Sequence, residues 1–460
     1  MAEIDSPGAE LKLLESDVAG LGQQSATPAS PRSRFATAVR ALRHRNFQLF
    51  FAGQMISLIG TWMQTVAQSW LVYRITGSTL LLGTVGFASQ IPVFLIAPIG
   101  GTVADRSNRH RVVIATQSAS MVLAFLLAVL TLTHRIQVWQ IMVLAAGLGV
   151  VNAFDIPARQ AFLMDMVGRE DLMNAIALNS SMFNGARIIG PAVAGILVAW
   201  VGEGWCFFAN SVSYIAVIAG LLMMKLPPPV NLANAGSPVE HILEGFRFVA
   251  RAAPLRSLLL LLGLVSLVGT PYSVLMPVFA NQILHGGAKE LGWLMGATGV
   301  GALLGALSLA TRAGLKGLGK VIALCAGGFG VSLILFAASK IFWLSLVLLL
   351  PVGFTMMVQM ASTNTLLQSM VPSEMRGRVV ALYTMMFMGV APFGAFFAGA
   401  MAHRIGAPWT VAIGGVACIA GAIVFAMVLP TFRTEARELI LAQGLAAASP
   451  AEEMTKQGAS

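Results

Sequence analysis

The chain has 460 residues, of which 57% are hydrophobic and only 10% charged, with a formal net charge of +10 and a mean hydropathy of +0.79. So much apolar surface exceeds what a soluble core can bury, which excludes an ordinary water-soluble globular protein. It calls for a bilayer, where about 20 apolar residues in a row cross roughly 30 Å of hydrocarbon as a helix.

Twelve such windows are predicted, at 47–71, 79–103, 111–132, 138–157, 172–200 and 205–225, then at 256–283, 289–310, 319–338, 341–364, 377–402 and 408–429. The expected fold is an all-α integral membrane protein of 12 transmembrane helices in two pseudo-symmetric six-helix bundles. Residues 1–45, with acids, Ser, Pro and Gly and no apolar stretch of signal-peptide type, are expected to be a loose tail.

The first bundle is expected over 46–225. Helix one places Gln54, Ser57, Thr61, Gln64 and Gln68 at steps of three and four. At 100° per residue they fall within an arc of about 80°, so one polar stripe runs the length of the helix. Lipid penalises such a face, and a cavity lining is favoured over interhelical hydrogen-bond glue. Between helices two and three comes PIGGTVADRSNRHRVV, residues 98–113, an unusual concentration of charge for this chain. Here Gly101 would let the helix end pass close to a neighbour, Asp105 offers an acceptor to a helix N-terminus, and the arginines can bridge carboxylates across the bundle mouth. The alternative is a plain solvated basic loop. Near the expected end of helix four, Asp155 and Arg159 stand one turn apart and can pair with each other or with Arg106 and Arg109; a gate tie is favoured over a proton site.

Helix five carries Ser180, Asn184, Arg187 and Pro191 on one face. Arg187 falls about 15 residues, or roughly 22 Å, beyond the predicted helix start, and an arginine so deep is costly. A contact to an anionic or polar substrate and an internal tie to a carbonyl or carboxylate are equally weighted. Pro191, next to Gly190, removes the hydrogen bond to the Arg187 carbonyl and is expected to bend the helix.

The segment 226–254 opens with a Pro run, continues into an amphipathic pattern and is expected to link the bundles. The second bundle follows over 255–430, and a tail over 431–460 with a short amphipathic helix. A shift of 204 positions lays residues 167–202 on 371–406 with eleven of 36 positions identical, among them Gly185/Gly389, Gly190/Gly394, Gly195/Gly399 and Gly202/Gly406. This reads as duplication, the arrangement that lets two bundles rock about a central site.

Sorted onto alternating sides, the basic residues crowd the side holding both termini; the other side carries only Arg74, Arg135, Lys289, Lys340 and Arg404. By the positive-inside rule both termini are cytoplasmic, so the basicity reports topology and attraction to anionic lipid, with no nucleic-acid partner. Cys206, Cys325 and Cys418 lie in apolar segments and are expected to pack. There is no HExxH, no metal-spaced Cys/His cluster, no P-loop and no GxSxG, so no enzyme, metal or cofactor is expected.

The segment Gly101-Thr-Val-Ala-Asp105-Arg106-Ser-Asn108-Arg109-His-Arg111 resembles the loop signature of the major facilitator superfamily. The resemblance implies a gating role for Gly101, Asp105, Arg106, Arg109 and Arg111. In the second half, ATRAGLKGLGK (310–320) keeps basic residues but has no Asp, which departs from a symmetrical lock. The stretches RNFQLFFAGQMIS (45–57), Phe154-Asp155-Ile-Pro157-Ala-Arg159-Gln160-Ala161, Asn174 to Asn179 and Asn184 to Pro191 are similar to the enterobactin-exporter and macrolide-efflux branch. What this implies is a secondary transporter of the bacterial cytoplasmic membrane, functional as a monomer, that exports a drug-like or siderophore-like small molecule. An importer, a lipid translocator and a non-transporting assembly subunit are the alternatives. The predicted spans hold no mid-membrane Asp or Glu, since Asp155, Glu203 and Glu290 all fall at helix ends. Proton antiport is therefore implied by the resemblance alone.

Overall fold

A computed structural model describes residues 40–226, 238–312, 314–315 and 317–457, with the side chain of Asp105 outside the described residues. The expected tail up to residue 39 and the Pro run of the linker also lie outside them. Among the described residues there is helix and turn, without strand.

A short 3-10 turn, Arg40–Arg43, leads into α1 (Arg45–Thr76), α2 (Thr79–Arg106) and α3 (Arg109–Leu132). Each boundary has a local cause. Gly77 takes φ 59° and returns its N–H to the Tyr73 carbonyl, Ser78 caps α2 by accepting from the Leu81 N–H, and Asn108 caps α3 by accepting from the Arg111 N–H. The next run, Val138–Val201, is 64 residues long and is broken only at Gly168, with φ 73°, into α4 (138–167) and α5 (169–201). α6 is Glu203–Leu222.

The linker helix α7 (Pro238–Arg251) docks on the second bundle, where Glu244 pairs with Arg378 at 2.6 Å. The second bundle comprises α8 (Ala253–Ile283), α9 (Ala288–Ala310), α10 (Leu318–Ala338), α11 (Phe342–Ser369), α12 (Glu374–Ile405) and α13 (Ala407–Gln457). α8 alternates α-helical turns with π and 3-10 turns around Pro271 and Pro277, which lack the N–H that a regular ladder needs. α13 runs unbroken past residue 430, so the separate tail helix expected there is a continuation of the last helix.

Among the described residues, ten helices are long and apolar enough to cross a membrane, with Val138–Val201 counted once. α1 is outside that set although it has 32 residues, because its polar stripe dilutes its hydropathy. Exposed apolar side chains cover the flanks, as lipid requires. Trp139, Trp200, Trp205, Trp293, Trp343 and Trp409 are all exposed, Trp200 by 82%, and cluster at the end of the bundles opposite the chain's basic segments. Such a girdle marks a membrane–water boundary. We call that end the far end and the other, holding Arg40 and Arg109, the basic end.

The duplication is visible in the backbone: Gly202 and Gly406, 204 positions apart, both take φ 87° in equivalent turns. The halves meet through two crossings, α5 on α9 and α2 on α12. At each, glycine faces glycine. A Cβ on Gly195 would lie 3.1 Å from the Gly292 Cα, and one on Gly399 would lie 2.8 Å from the Gly83 Cα. Thr79 donates to the Gly399 carbonyl at 3.1 Å, and Phe87 and Phe94 pack edge-on against Phe393. These contacts lie between the midplane and the far end. The hydrophobic core follows suit: one cluster joins the far half of the first bundle to the whole depth of the second, whereas the basic half of the first bundle, around Phe47, Phe50 and Phe162, forms a cluster of its own.

Candidate functional site

Between the bundles, from mid-depth toward the far end, lies a cavity of about 340 Å³. The first bundle supplies Thr61, Trp62, Gln64 and Gln68 from α1, Ser89 and Gln90 from α2, Arg187 and Pro191 from α5 and Asn210 from α6; the second supplies Tyr272 and Ser273 from α8 and Met295 and Thr298 from α9. A site fed by both halves changes shape whenever they rock.

The polar stripe of α1 divides. Thr61, Gln64 and Gln68 reach the cavity, and Gln64 is fixed there by the Asn210 amide, which donates to its Oε1 at 2.7 Å. Gly60 permits this approach, because a Cβ would strike the Asn210 Oδ1. Gln54 and Ser57 do not line the cavity. They are 2% and 1% exposed, and the Oε1 of Gln54 has no partner. The reason is local: Gly53 draws α6 onto this part of α1, with a Cβ there 2.7 Å from the Val217 Cα. The cavity-lining expectation is thus corrected for Gln54 and Ser57.

Arg187 lines the cavity, its guanidinium carbon 5.7 Å from the centre of the Trp62 ring and within electrostatic range of Tyr272. Of the lining residues it alone carries a charge. Asn184, one turn away, turns its amide to the Ser180 carbonyl at 2.9 Å and is not part of the lining. The helix keeps its helical dihedrals through Gly190 and Pro191. Gly190 serves a close crossing, since its Cβ would lie 2.5 Å from the Trp62 Cβ. Pro191 leaves the Arg187 carbonyl without its helical donor, and that carbonyl packs against Gly299 of α9.

Asp155 is not terminal. α4 continues twelve residues past it, about 18 Å at 1.5 Å per residue, and the carboxylate is buried at 3% exposure. Its Oδ1 accepts from the Thr116 hydroxyl at 2.8 Å and the Gln117 amide at 2.9 Å, and its Oδ2 faces the Arg159 Nε at 3.3 Å. It pairs with neither Arg106 nor Arg109. The Tyr214 hydroxyl, within electrostatic range of Asp155, stands 3.4 Å from the Thr61 hydroxyl at the cavity wall. The residue 204 positions on is Gln359, fully buried with Ser362 and Thr363, and none of the three has a protein partner for its buried side-chain atoms. The acid therefore belongs to one half only.

At the basic end, Gly101 has open space where a Cβ would be, so the close approach expected of it is made by Gly100, whose Cβ would strike the Ala153 carbonyl. One residue is 100° of helix, enough to turn Gly101 away from α4. Arg109 reaches Asp165 at 3.0 Å and the Ala104 carbonyl at 3.3 Å, both within the first bundle, while Arg106 and Arg111 are exposed. Sequence reading missed the pinning of the chain's entry, where Arg40 and His44 meet Asp171 at 2.7 and 2.8 Å, and the far-end pair of Arg74 with the buried Glu203 at 2.7 Å. It also missed Trp62, Asn210 and Tyr272. Asn210 was findable as a lone amide in an apolar run, which lipid disfavours.

A family profile described as "Transmembrane secretion effector" matches residues 36–454. Among curated proteins the chain is 26% identical to the staphyloferrin A transporter of Staphylococcus aureus, covering 82% of this chain and 94% of that one. It is 28% identical both to the enterobactin exporter EntS of Shigella boydii, over 74% and 81%, and to the multidrug efflux pump Tap of Mycolicibacterium fortuitum, over 75% and 87%. Among solved structures the nucleoside transporter NupG superposes with a TM-score of 0.65 at 14% identity, covering 84% of this chain and 98% of that one. A bacterial homologue of the lysosomal transporter Spinster gives 0.64 at 14%, covering 87% and 98%; these two establish likeness of fold.

Proposed function

Since the chain belongs to the transmembrane secretion effector family of the major facilitator superfamily, and is thus a multi-pass membrane transporter and not an enzyme, we propose that it exports a drug-like or siderophore-like small molecule by alternating access. The observation that carries this reading is the cavity lined from both bundles and closed toward the far end by the two glycine crossings. Counting a second pass within Val138–Val201 and the polar α1 with the ten apolar helices, we take the chain to cross twelve times. An even number returns the chain to its starting side, and the positive-inside rule makes that side the cytoplasm. The cavity then faces inward in this state, with 46–225 and 255–430 as the two moving bodies and the monomer as the working unit. The loop around Asp105, Arg106, Arg109 and Arg111 closes the cytoplasmic mouth in the opposite state.

Proton antiport is the coupling we favour, with Asp155 as the carrier. The buried Asp155 carboxylate is within electrostatic range of the Tyr214 hydroxyl, which stands 3.4 Å from Thr61 of the cavity wall, and a single acid suffices for exchange. The three relatives named above, two tied to siderophores and one to drugs, support a bulky, partly apolar cargo.

The test is accumulation in cells stripped of their own efflux pumps, with a panel of dyes, macrolides and catechol siderophores. Expression should lower the internal level of at least one compound, and Gln68→Leu should abolish the effect at equal membrane abundance. Accumulation unchanged for every compound by a well-inserted protein would overturn the export reading.

A further inference from the structure

The export reading leaves the cargo's charge open, and the cavity wall bears on it. We infer that this transporter selects organic anions, with Arg187 as the counter-charge and the Trp62 and Tyr272 rings flanking an aromatic or apolar body. The inference rests on the export reading and narrows it.

A charge at mid-membrane depth is retained where it is paired or used. Arg187 stands 18 residues into α5, about 27 Å along the helix, and 14 residues from its other end. No acid lines the cavity. The acids at comparable depth or near the far end are engaged elsewhere: Asp155 by Thr116, Gln117 and Arg159, Glu203 by Arg74, and Glu290 by the Gly287 N–H. The neighbours Arg187 does have are the Trp62 face and Tyr272, and a cation–π contact is weak beside the desolvation of a guanidinium. An incoming carboxylate, phenolate or catecholate completes the pair and can accept two parallel N–H bonds from the guanidinium fork. Because Arg187 belongs to the first bundle and Tyr272 to the second, such a ligand touches both moving bodies. Gln64 and Gln68 supply neutral donors and acceptors around it, which orient the ligand without discriminating by charge. A cationic amphiphile of the same shape meets a like charge in the cavity wall with no acid to offset it.

The experiment uses purified full-length protein and two dyes on one xanthene frame, anionic fluorescein and cationic rhodamine 123. Equilibrium binding is followed by fluorescence polarisation, and flux in phosphatidylcholine vesicles with and without phosphatidylglycerol. Wild type should favour fluorescein by about tenfold in both readouts, the worth of one charge-assisted contact. Arg187→Gln should remove that preference and Arg187→Lys should restore part of it. Rhodamine bound as tightly as fluorescein, or fluorescein binding undiminished in folded Arg187→Gln, overturns the inference. If rhodamine moves and fluorescein does not, export stands and anion selection falls. If fluorescein binds through Arg187 but neither dye moves, anion selection stands and the export reading falls. Loss of the preference only when phosphatidylglycerol is present assigns the site to lipid phosphate and overturns selection of soluble organic anions.

Discussion

The glycine crossings are the sharpest place to perturb the proposed cycle. In Gly399→Ala the added Cβ would lie 2.6 Å from the Thr79 carbonyl oxygen and 2.8 Å from the Gly83 Cα, both backbone atoms that cannot rotate away. The Thr79 hydroxyl bond to the Gly399 carbonyl, at 3.1 Å, holds the two helices in this register. Forcing one methyl into such a contact costs about 1–3 kcal/mol. If the far end separates in the opposite state, that cost falls on the inward-facing state alone. The ratio of inward-facing to outward-facing molecules should then drop by about 5- to 150-fold. Spin labels at Arg135 and Lys340, exposed far-end positions in the first and second bundles, report the separation by double electron–electron resonance once Cys206, Cys325 and Cys418 are replaced by alanine. The distance distribution should shift toward the longer component in Gly399→Ala and in its repeat equivalent Gly195→Ala. Gly185→Ala, which meets nothing within 4 Å, should leave it unchanged. A folded Gly399→Ala protein with the wild-type distribution would refute the claim that this crossing opens during transport.

Other substitutions probe the remaining parts. Asp155→Asn keeps the shape but leaves Arg159 without its counter-charge; gradient-driven flux should fall by about tenfold or more, with facilitated exchange of substrate less affected. By contrast Gln359→Leu, at the matching position of the second half, removes buried amide atoms that have no partner, and should leave the melting temperature equal or higher and flux intact. Glu203→Gln at the far end weakens a half-exposed ion pair, with Arg74 54% exposed, so the loss should be about 1 kcal/mol or less, read as a small drop in melting temperature. Asp105→Asn should leave insertion unchanged, cut turnover and bias the cytoplasmic mouth toward open; wild-type flux in that variant would remove the loop's assigned role.

Helix positions were largely legible because each hydrophobic run is bounded by residues that lipid rejects and that cap helices, as at Gly77-Ser78 and Asn108. Hydropathy, however, reports contact with lipid and not the extent of a helix. The run before Arg159 ended the predicted span at 157, whereas α4 stops only at Gly168, and this misplaced Asp155 at a helix end. Periodicity found the α1 face correctly but could not tell which neighbour covers it. Gly53 brings α6 over Gln54 and Ser57, while Thr61, Gln64 and Gln68 stay open to the cavity. Tyr272 and Trp62 escaped notice because aromatic residues in an apolar run carry no periodic signal. Their importance comes from Arg187 and from a pairing of bundles that no local window contains.

The central claim, export by a cavity that the two bundles share, is tested most directly by flux in inside-out membrane vesicles, whose exposed face is the cytoplasmic one. With an imposed proton gradient that makes the lumen acidic, an anionic aromatic substrate should accumulate in the lumen. Collapse of the gradient, or Asp155→Asn, should stop it. Accumulation that ignores the gradient and survives Asp155→Asn, or movement only from the lumen outward, would contradict the account.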